Sequence, residues 1–543
     1  MQLTEGPVSG QRNHFFPLIG GLFVLLHAPL AWAEAPAILL PEPFVVEMPA
    51  GRTSLGPGDE PLRSVLASAR AGKHRVTATL PRDQIGVGVW RVILSAWEET
   101  SSVLPAARRE TPLFVLPAGM SVVAVTGHTN ATAGNNATHI ARDAGGDVHM
   151  VWVDSWGPYQ RDGAWYRRAR TLSDGSVRFE TEAVPLASRA GGFTAMPSLT
   201  AAGDTVHFVW QVDNAVWYRN LKRDGTIWRW SDEIDTGARS ARRDIGPSVA
   251  VDVLGGIHVL STDAIYAFST DGGKRWTLEP LPLGEGREAK TTSLSLDREG
   301  RPLVVASVIP TGGKPLSEAH GTGAHWPVLV FRRTAPGRWE TVRGPLEGWR
   351  EWEPPTLEAE DVLADWVRLM EDSSGGLHAT WHGTAVSRVY GNDHAYYAWR
   401  PPGGAWNPPV PLREPDPEQG YGWSYAPGLT LMGETALPLV FYMVQARQSE
   451  RGFDSDLNAF HRGKRVGTPL PVNRSARDSL IAGEPMGALS AWFPGAAPAL
   501  WHGEDGRIWM DVLVTLFPTG IAAPGMVVYQ RVDVTEWLKA ARP

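Results

Sequence analysis

Hydrophobic and polar residues alternate in short stretches along most of the chain, and these stretches come in pairs joined by a glycine-containing turn. Alternation with a period of two is typical of β-strands that bury one face. The clearest pairs are HIARDAGGDVHMVWVD from His139, PSLTAAGDTVHFVWQVD from Pro197 and PSVAVDVLGGIHVLSTD from Pro247. The pattern therefore predicts an all-β protein built from repeated strand pairs.

The strand pair recurs seven times between about residues 120 and 520, and a second alternating segment follows each copy. Equivalent anchor positions are 45 to 75 residues apart and are occupied by His149, His207, His258, Leu303, His378, Leu439 and Leu500. Four strands with variable loops need about this length. We therefore expect residues 119–543 to form a seven-bladed β-propeller, with six blades as the alternative count. In the last copy, this interpretation places Trp501 on the second strand and Trp509 on the third.

Residues 34–118 do not share the repeat, although HRVTATL and VWRVILSAW alternate within them. We interpret this part as a small β-rich accessory domain that precedes the propeller. Ser121–Val125 is a strand that can close the ring by joining the last blade. A C-terminal strand near Met526–Val534 is the competing closure.

An apolar run, Phe15–Leu26, follows Arg12 and precedes the small-x-small triplet Ala31-Trp32-Ala33. The run is too short to cross a bilayer, and the triplet suits a signal peptidase. Residues 1–33 are therefore predicted to be a secretory signal, and the mature chain is predicted to be secreted or periplasmic, with no membrane span.

The amino-acid composition excludes or argues against several classes of function. The chain of 543 residues has no cysteine, which excludes disulfides, thiolate metal sites and a cysteine nucleophile. Its net charge of -7 argues against a nucleic-acid partner. No metal or cofactor is predicted. Tryptophan is unusually frequent, with 24 copies against 15 phenylalanines, and we expect many of them to pack one blade against the next.

One turn carries a specific motif, Ser269-Thr-Asp271-Gly272-Gly273-Lys-Arg-Trp276, or S-x-D-x-G-x-x-W. Asp271 is expected to bond the backbone of its own turn, the glycines to take positive φ, and Trp276 to pack between sheets. The motif resembles the Asp-box of bacterial neuraminidase repeats in the sialidase-like propeller superfamily. The box implies the fold rather than the activity, because it lies on the face away from the propeller mouth.

The loops between second and third strands share one face with the connectors between blades, and binding groups are expected there. The resemblance to sialidases implies that Asp162 is the acid/base and Tyr425 the nucleophile. Aspartate recurs at this repeat position in Asp213, Asp263, Asp393, Asp456 and Asp505, so a turn-forming role for Asp162 is the alternative. The family's first arginine motif is missing, and His139 stands in its place. Recognition of a substrate carboxylate needs arginines, and the candidates are Arg242, Arg243, Arg287 and Arg388.

The chain also resembles polysaccharide lyases built on seven-bladed propellers. That resemblance implies His139 as base, Tyr390 as acid, and Arg388 or Arg242 neutralising a uronate carboxylate. His382 and His394, assigned to the long loop of the fifth copy, are further substrate-binding candidates. Trp156 and Trp423 are candidates for stacking on sugar rings. By contrast, His149, His207, His258 and His378 are predicted to be structural and to bond across blades.

Two functions follow from these observations. The first is an exported sialidase-like propeller that acts on a carbohydrate or glycoconjugate, as a glycoside hydrolase or a uronate polysaccharide lyase at the channel mouth. The second is a non-catalytic propeller that binds glycan, or a protein partner, in the cell envelope. Fold alone does not choose between them, because propellers host both classes.

Overall fold

The structure is a computed structural model, and it describes an all-β fold of propeller type with two short helices in the described part of the chain. The described residues are 38–39, 44–69, 71, 74–97, 107–127, 130–133, 136–154, 163–172, 176–180, 182–187, 194–240, 245–312, 327–346, 364–383, 394–412, 424–433, 437–445, 453–471, 489–518 and 524–541. Within them, no helix is long and apolar enough to cross a membrane.

The N-terminal part forms one four-stranded sheet with a helix. Its strands, in the order β1-β4-β3-β2, are β1 (Val45–Glu47), β2 (Arg75–Thr79), β3 (Gly88–Trp97) and β4 (Ala107–Leu116). Helix α1 (Glu60–Ser68) buries Leu62 and was not expected. An acidic residue before a proline in the first turn is a helix-start signal, and Asp59-Glu60-Pro61 provides it.

Seven further sheets follow in the described residues, and we number them sheets 1 to 7. Sheet 1 contains β6 (Ile140–Arg142), β7 (Val148–Asp154) and β8 (Gly163–Thr171), with β9 (Val177–Phe179) and β10 (Val184–Pro185) both paired to β8. Sheet 2 contains β11 (Thr194–Ala202), β12 (Thr205–Val212), β13 (Ala215–Asp224), β14 (Ile227–Trp230) and β15 (Ile234–Arg239). Sheet 3 contains β16 (Ser248–Val251), β17 (Ile257–Leu260), β18 (Ile265–Ser269) and β19 (Thr277–Pro280).

The remaining sheets have four strands each. Sheet 4 contains β20 (Arg287–Leu296), β21 (Pro302–Pro310), β22 (Val328–Ala335) and β23 (Arg338–Val342). Sheet 5 contains β24 (Ala364–Glu371), β25 (Leu377–Gly383), β26 (His394–Arg400) and β27 (Val410–Pro411). Sheet 6 contains β28 (Ser424–Met432), β29 (Leu437–Gln445), β30 (Phe453–His461) and β31 (Lys464–Pro471). Sheet 7 contains β32 (Leu489–His502), β33 (Ile508–Pro518), β34 (Gly525–Asp533) and β5 (Met120–Thr126), and helix α2 (Thr535–Ala540) follows β34.

The first strand of each sheet contacts the first strand of the next, and β32 of sheet 7 contacts β6 of sheet 1. The sheets therefore follow one another around a central axis. Their first strands lie innermost and their flat faces pack together, as in propeller architectures.

The ring is closed through sheet 7, where β5, which precedes sheet 1 in the chain, pairs with β34 near the end of the described residues. The prediction that Ser121–Val125 joins the last blade is confirmed, and the competing C-terminal strand is its neighbour in the same sheet. A buried ion pair adds a second link between sheets 1 and 7. Arg142 of β6 donates from Nε and Nη2 to the two carboxylate oxygens of Asp511 on β33, each at 2.9 Å. Tyr529 also donates its hydroxyl to Asp511, at 2.6 Å.

The strand assignment predicted for the last copy is wrong. Leu489–His502 is one long strand, so Trp501 lies on the first strand of sheet 7 and Trp509 on the second. The segment FPGAAP looks like a turn in the sequence, yet pairing with β33 continues through two register shifts there. β-Bulges accommodate proline and glycine without ending a strand. Asp505 consequently lies in the turn between β32 and β33 and not at the repeat position assigned to it.

The Asp271 turn has the predicted geometry. Asp271 Oδ1 accepts hydrogen bonds from the amides of Lys274 and Arg275, each at 2.9 Å. Gly272 and Gly273 have φ of 76° and 90°. The Trp276 ring meets Tyr218 of sheet 2 edge-on, with 5.2 Å between ring centroids. The expected packing of this tryptophan between two sheets is therefore confirmed.

The two glycines of this turn allow a matched test of inter-sheet packing. A Cβ at Gly273 would lie 2.2 Å from the Tyr218 ring, whereas a Cβ at Gly272 would meet nothing within 4 Å. Because both residues have positive φ, Gly272→Ala should cost about 1 kcal/mol from backbone strain alone. Gly273→Ala adds the clash and should cost at least about 3 kcal/mol. Urea unfolding of both variants measures the difference, and equal losses would contradict the role given to Tyr218.

Candidate functional site

The repeated histidines of the second strands belong to structural networks in the described residues. His149 is hydrogen-bonded to Tyr166 at 2.8 Å and to Asp143 at 3.2 Å, within sheet 1. The same His–Tyr–Asp arrangement occurs within sheet 3, as His258, Tyr266 and Asp252. It occurs again within sheet 5, as His378, Tyr397 and Asp372. The prediction of a structural role holds, but these hydrogen bonds are made inside one sheet. The network of sheet 1 contacts the next sheet in two ways. The His149 and Trp228 rings meet with centroids 5.1 Å apart, and Arg223 of sheet 2 donates to Asp143 at 2.6 Å.

Burial lowers the pKa of these histidines, and acid should therefore destabilise the fold. For His207, burial lowers the pKa from 6.5 to about 4. As pH falls through 6.5, this histidine takes up a proton in the unfolded chain but not in the folded chain. The free energy of unfolding therefore falls between pH 6.5 and about pH 4. His207 alone should contribute a loss of about 2 kcal/mol between about pH 7.5 and pH 5. Urea unfolding at both pH values tests this, because His207→Gln should remove that part of the difference in unfolding free energy. An unchanged difference in the variant would contradict a buried, neutral His207.

We call the end of the sheets at which the innermost strands begin the upper face, and the other end the lower face. Three successive innermost strands, β24, β28 and β32, each have a register shift at this end. At each shift, a residue other than glycine has positive φ, namely Trp366 at 51°, Ala426 at 45° and Phe493 at 48°. Such residues are uncommon and gather at functional sites. The Trp366 and Phe493 rings stack with centroids 5.4 Å apart, and since sheet 6 lies between their sheets, they meet towards the axis.

The connector from β5 to β6, described at residues 130–133 and 136–139, crosses the ring near the upper face. At one end, Thr132 donates its hydroxyl to the Phe493 carbonyl at 2.8 Å. At the other end, the wholly buried Asn136 donates from Nδ2 to the carbonyls of Gly246 at 3.1 Å and Thr292 at 2.9 Å. The connector therefore joins sheet 7 to sheets 3 and 4 and occupies the axis between them.

Arg368 of β24 reaches the same connector from sheet 5. Its Nε donates to the Leu429 carbonyl of sheet 6 at 2.7 Å, and its Nη2 donates to the Thr138 hydroxyl at 3.0 Å. Its Nη1 is buried without a hydrogen-bond partner, and among the described residues no carboxylate pairs with this guanidinium. Burial lowers the pKa of Arg368 to about 10, so the side chain still carries its charge at neutral pH.

Further charged and titratable groups lie around Arg368. Lys290 Nζ is 3.6 Å from Asp365 Oδ2, and the other oxygen of Asp365 accepts the Trp366 amide at 2.8 Å. His382 lies opposite Asp365 in register and two residues from Thr380, which lies opposite Arg368. The upper end of sheet 5 thus combines a cation, a carboxylate–ammonium pair and a buried histidine beside an aromatic pair.

The structure places the predicted site residues as follows. His139 is buried immediately before β6 and follows Thr138, which holds Arg368. His382 and His394 lie at strand ends, on β25 and β26, and not in a loop as predicted. Because His382 lies opposite Ala395 and not opposite His394, these two histidines project to opposite faces of sheet 5. Arg287 is the exposed first residue of β20, and Tyr425 is the second residue of β28, where its backbone pairs with Met443.

The remaining predicted site residues lie outside the described residues, and they are Asp162, Tyr390, Arg242, Arg243, Arg388, Trp156 and Trp423. Conversely, sequence reasoning missed Arg368, Lys290 and Asp365. The available signal was the arginine in the otherwise apolar innermost strand segment WVRLM, since an arginine is rarely buried unless it is paired. Among the described residues, no group of three potential ligands is arranged to hold a metal ion.

No known protein-family model and no curated protein matches this chain. Among solved structures, an ulvan lyase of polysaccharide lyase family PL25, bound to -[GlcA(1-4)Rha3S]-, is 12% identical, with a TM-score of 0.45 over 78% of this chain and 99% of that one. The polysaccharide lyase Uly1 is 10% identical, with a TM-score of 0.39 over 73% and 89%. YCF48 bound to a D1 peptide is 11% identical, with a TM-score of 0.38 over 76% and 93%. These similarities are weak, so the geometry of the site carries the functional interpretation.

Proposed function

We propose that this chain is a glycan-active enzyme whose site lies at the upper face around the axis, and that its reaction is the eliminative cleavage of a uronate-containing polysaccharide. The observation that carries the proposal is Arg368, a buried guanidinium with no carboxylate partner among the described residues. A buried charge without a counter-ion is costly. A substrate carboxylate would compensate this charge and would be gripped by the unused Nη1 donor.

Elimination requires three protein groups near one sugar: a cation, a base and an acid. A cation neutralises the uronate carboxylate and so acidifies the adjacent carbon-bound proton, and we assign this to Arg368. A base removes that proton while the electron pair forms a carbon–carbon double bond and expels the glycosidic oxygen, and an acid protonates that oxygen. His139 remains our candidate base, because it follows the residue that Arg368 binds. Tyr390 remains the candidate acid. No water is consumed, and the product carries an unsaturated uronate.

The wider predictions belong to the same proposal. We propose that the ring has seven blades and is related to the Asp-box propellers, with residues 34–118 as an accessory domain. We also propose that residues 1–33 direct export, so that the enzyme meets its polysaccharide outside the cytoplasm. The contacts between successive innermost strands support the blade count, and the Asp271 turn supports the relationship.

The test is an activity screen of the full chain on alginate, polygalacturonate, glycosaminoglycans and ulvan, together with neutral polysaccharides. Elimination should generate ultraviolet absorbance from the new double bond in step with new reducing ends. New reducing ends without that absorbance would indicate hydrolysis instead of elimination, and Asp162 is the candidate acid/base for hydrolysis. Activity confined to neutral polymers would overturn the role of Arg368.

A non-catalytic binding function is the second candidate, and one observation favours it. Apolar side chains from four sheets and the connector form a buried cluster beside the axis, namely Ala133, Val153, Met196, Ala426, Met443 and Phe493. Trp366 and Trp492 pack against this cluster and are only partly buried, and partly exposed aromatic rings suit binding more than proton transfer. Retained binding of an acidic glycan, with no cleavage of any polymer in the screen, would favour this function over the enzyme.

A further inference from the structure

A cleft of about 630 Å³ lies at the lower face, at the opposite end of the sheets from Arg368. It is bounded by Glu47 of the N-terminal sheet, by β5, by the outer edge of sheet 1 and by the β32–β33 turn of sheet 7. The N-terminal sheet, sheet 1 and sheet 7 thus meet around one opening, and the upper site uses none of the residues that line it.

Two tryptophans form one wall of this cleft. Trp501 and Trp509 are opposite each other in register on β32 and β33, and both are half-buried rather than enclosed in the core. The guanidinium of Arg531 lies 4.4 Å from the Trp501 ring centre and 4.8 Å from the Trp509 ring centre. Stacking fixes the positions of all three side chains and gives the wall a rigid surface of aromatic and planar polar groups.

Acidic and hydroxyl groups line the rest of the cleft. Glu47, Glu504 and Asp505 contribute carboxylates, and Ser121 and Ser176 contribute hydroxyls. Glu47 is held in place because its Oε1 accepts the Gly119 amide at 2.7 Å. Carboxylates accept hydrogen bonds from sugar hydroxyls, while aromatic faces contact the sugar C–H groups.

The charge of the cleft selects the ligand class. Among the described residues that line the cleft, the carboxylates of Glu47, Glu504 and Asp505 outnumber the guanidinium of Arg531. Arg507 also lies 3.4 Å from Asp505, but one carboxylate remains in excess, and like charge repels a polyanion. The lining therefore disfavours the acidic polymer proposed for the upper face. We infer that this cleft is a second binding site, and that its ligand is an uncharged oligosaccharide. The inference does not depend on the upper site being catalytic.

Isothermal titration of the full chain with oligosaccharides of β-glucan, mannan and xylan, and with oligogalacturonate as the acidic probe, tests the inference. At least one neutral probe should bind. Trp501→Ala should weaken it at least tenfold, and Trp501→Phe should keep most of the affinity. Trp97→Ala, a tryptophan of the N-terminal sheet that does not line the cleft, should leave binding unchanged.

Two further variants separate the possible outcomes. Glu504→Gln changes an exposed side chain, so it should weaken binding several-fold without affecting the fold even where Trp501→Ala is unstable. Arg368→Met should leave neutral-sugar binding intact, which separates this site from the proposed enzyme site. Absence of binding to all neutral probes, or binding that Trp501→Ala and Glu504→Gln both leave unchanged in folded protein, would overturn the inference.

Discussion

Replacing Arg368 with methionine should reduce polysaccharide cleavage by about 100-fold or more, in line with the loss of one preorganised charge-stabilising group from an active site. The same change should leave the free energy of unfolding unchanged or raise it, because methionine fills similar space without burying an uncompensated charge. Activity and stability are therefore expected to move independently. Steady-state kinetics on the substrate found in the screen, together with urea unfolding, measures both effects.

Ligand-dependent stability gives a second readout for Arg368. A short uronate oligosaccharide should raise the melting temperature of the parent protein, because a ligand that binds only the folded state stabilises it. The Arg368→Met variant should lose this stabilisation, and Arg368→Lys should retain part of it, since lysine keeps the charge without the planar donor fork. A methionine variant that cleaves the polymer at the parental rate would remove Arg368 from the mechanism.

Replacing Asp511 with alanine should destabilise the fold by about 3 to 5 kcal/mol, because it leaves Arg142 buried without its partner. Arg142 and Asp511 have side-chain exposures of 5% and 1%, so water cannot solvate the Arg142 guanidinium once Asp511 is removed. The pair also joins sheet 1 to sheet 7, where the ring closes. Urea unfolding of Asp511→Ala, and of the double variant Arg142→Met with Asp511→Leu, measures the effect. The double variant should recover much of the loss.

A matched surface pair provides the control for Asp511. Arg178 and Glu180 are 2.8 Å apart, but their side chains are 62% and 24% exposed. Because exposed pairs contribute little, Glu180→Ala should cost less than about 1 kcal/mol. Losses of similar size at Asp511 and Glu180 would contradict a burial-dependent role for the closing pair.

Local chemistry made part of the fold predictable. Short alternating strands, glycine turns and the Asp271 box depend on hydrogen bonds and φ preferences within a few residues, and these predictions agree with the structure. The last sheet was misassigned because a bulged strand and a turn have the same local sequence pattern around Pro494 and Pro498. Helix α1 was missed although Pro61 marks its first turn and Leu62, Val65 and Leu66 have helical spacing, since its nine residues are fewer than the window in which such spacing is diagnostic.

The candidate site was much less predictable. His139 was selected from its place at the start of an innermost strand, and it does precede β6. Arg368, Lys290 and Asp365 were not predicted, because nothing in the neighbouring sequence shows which groups from other sheets surround a charged residue. His382 and His394 seemed equivalent in sequence, but strand register projects them to opposite faces of sheet 5.

The strand-rich repeat, the tight turns and the absence of cysteine chemistry could be predicted from the chain alone, because they depend only on composition and on residues close together in it. The contacts between distant residues were set by the tertiary fold. It paired β5 with β34, placed Arg142 against Asp511, and brought Thr138 to Arg368, 230 positions away. Burial and pairing of charges depend on neighbours from other sheets, so a guanidinium that no carboxylate pairs within the described residues could be recognised only in the folded ring.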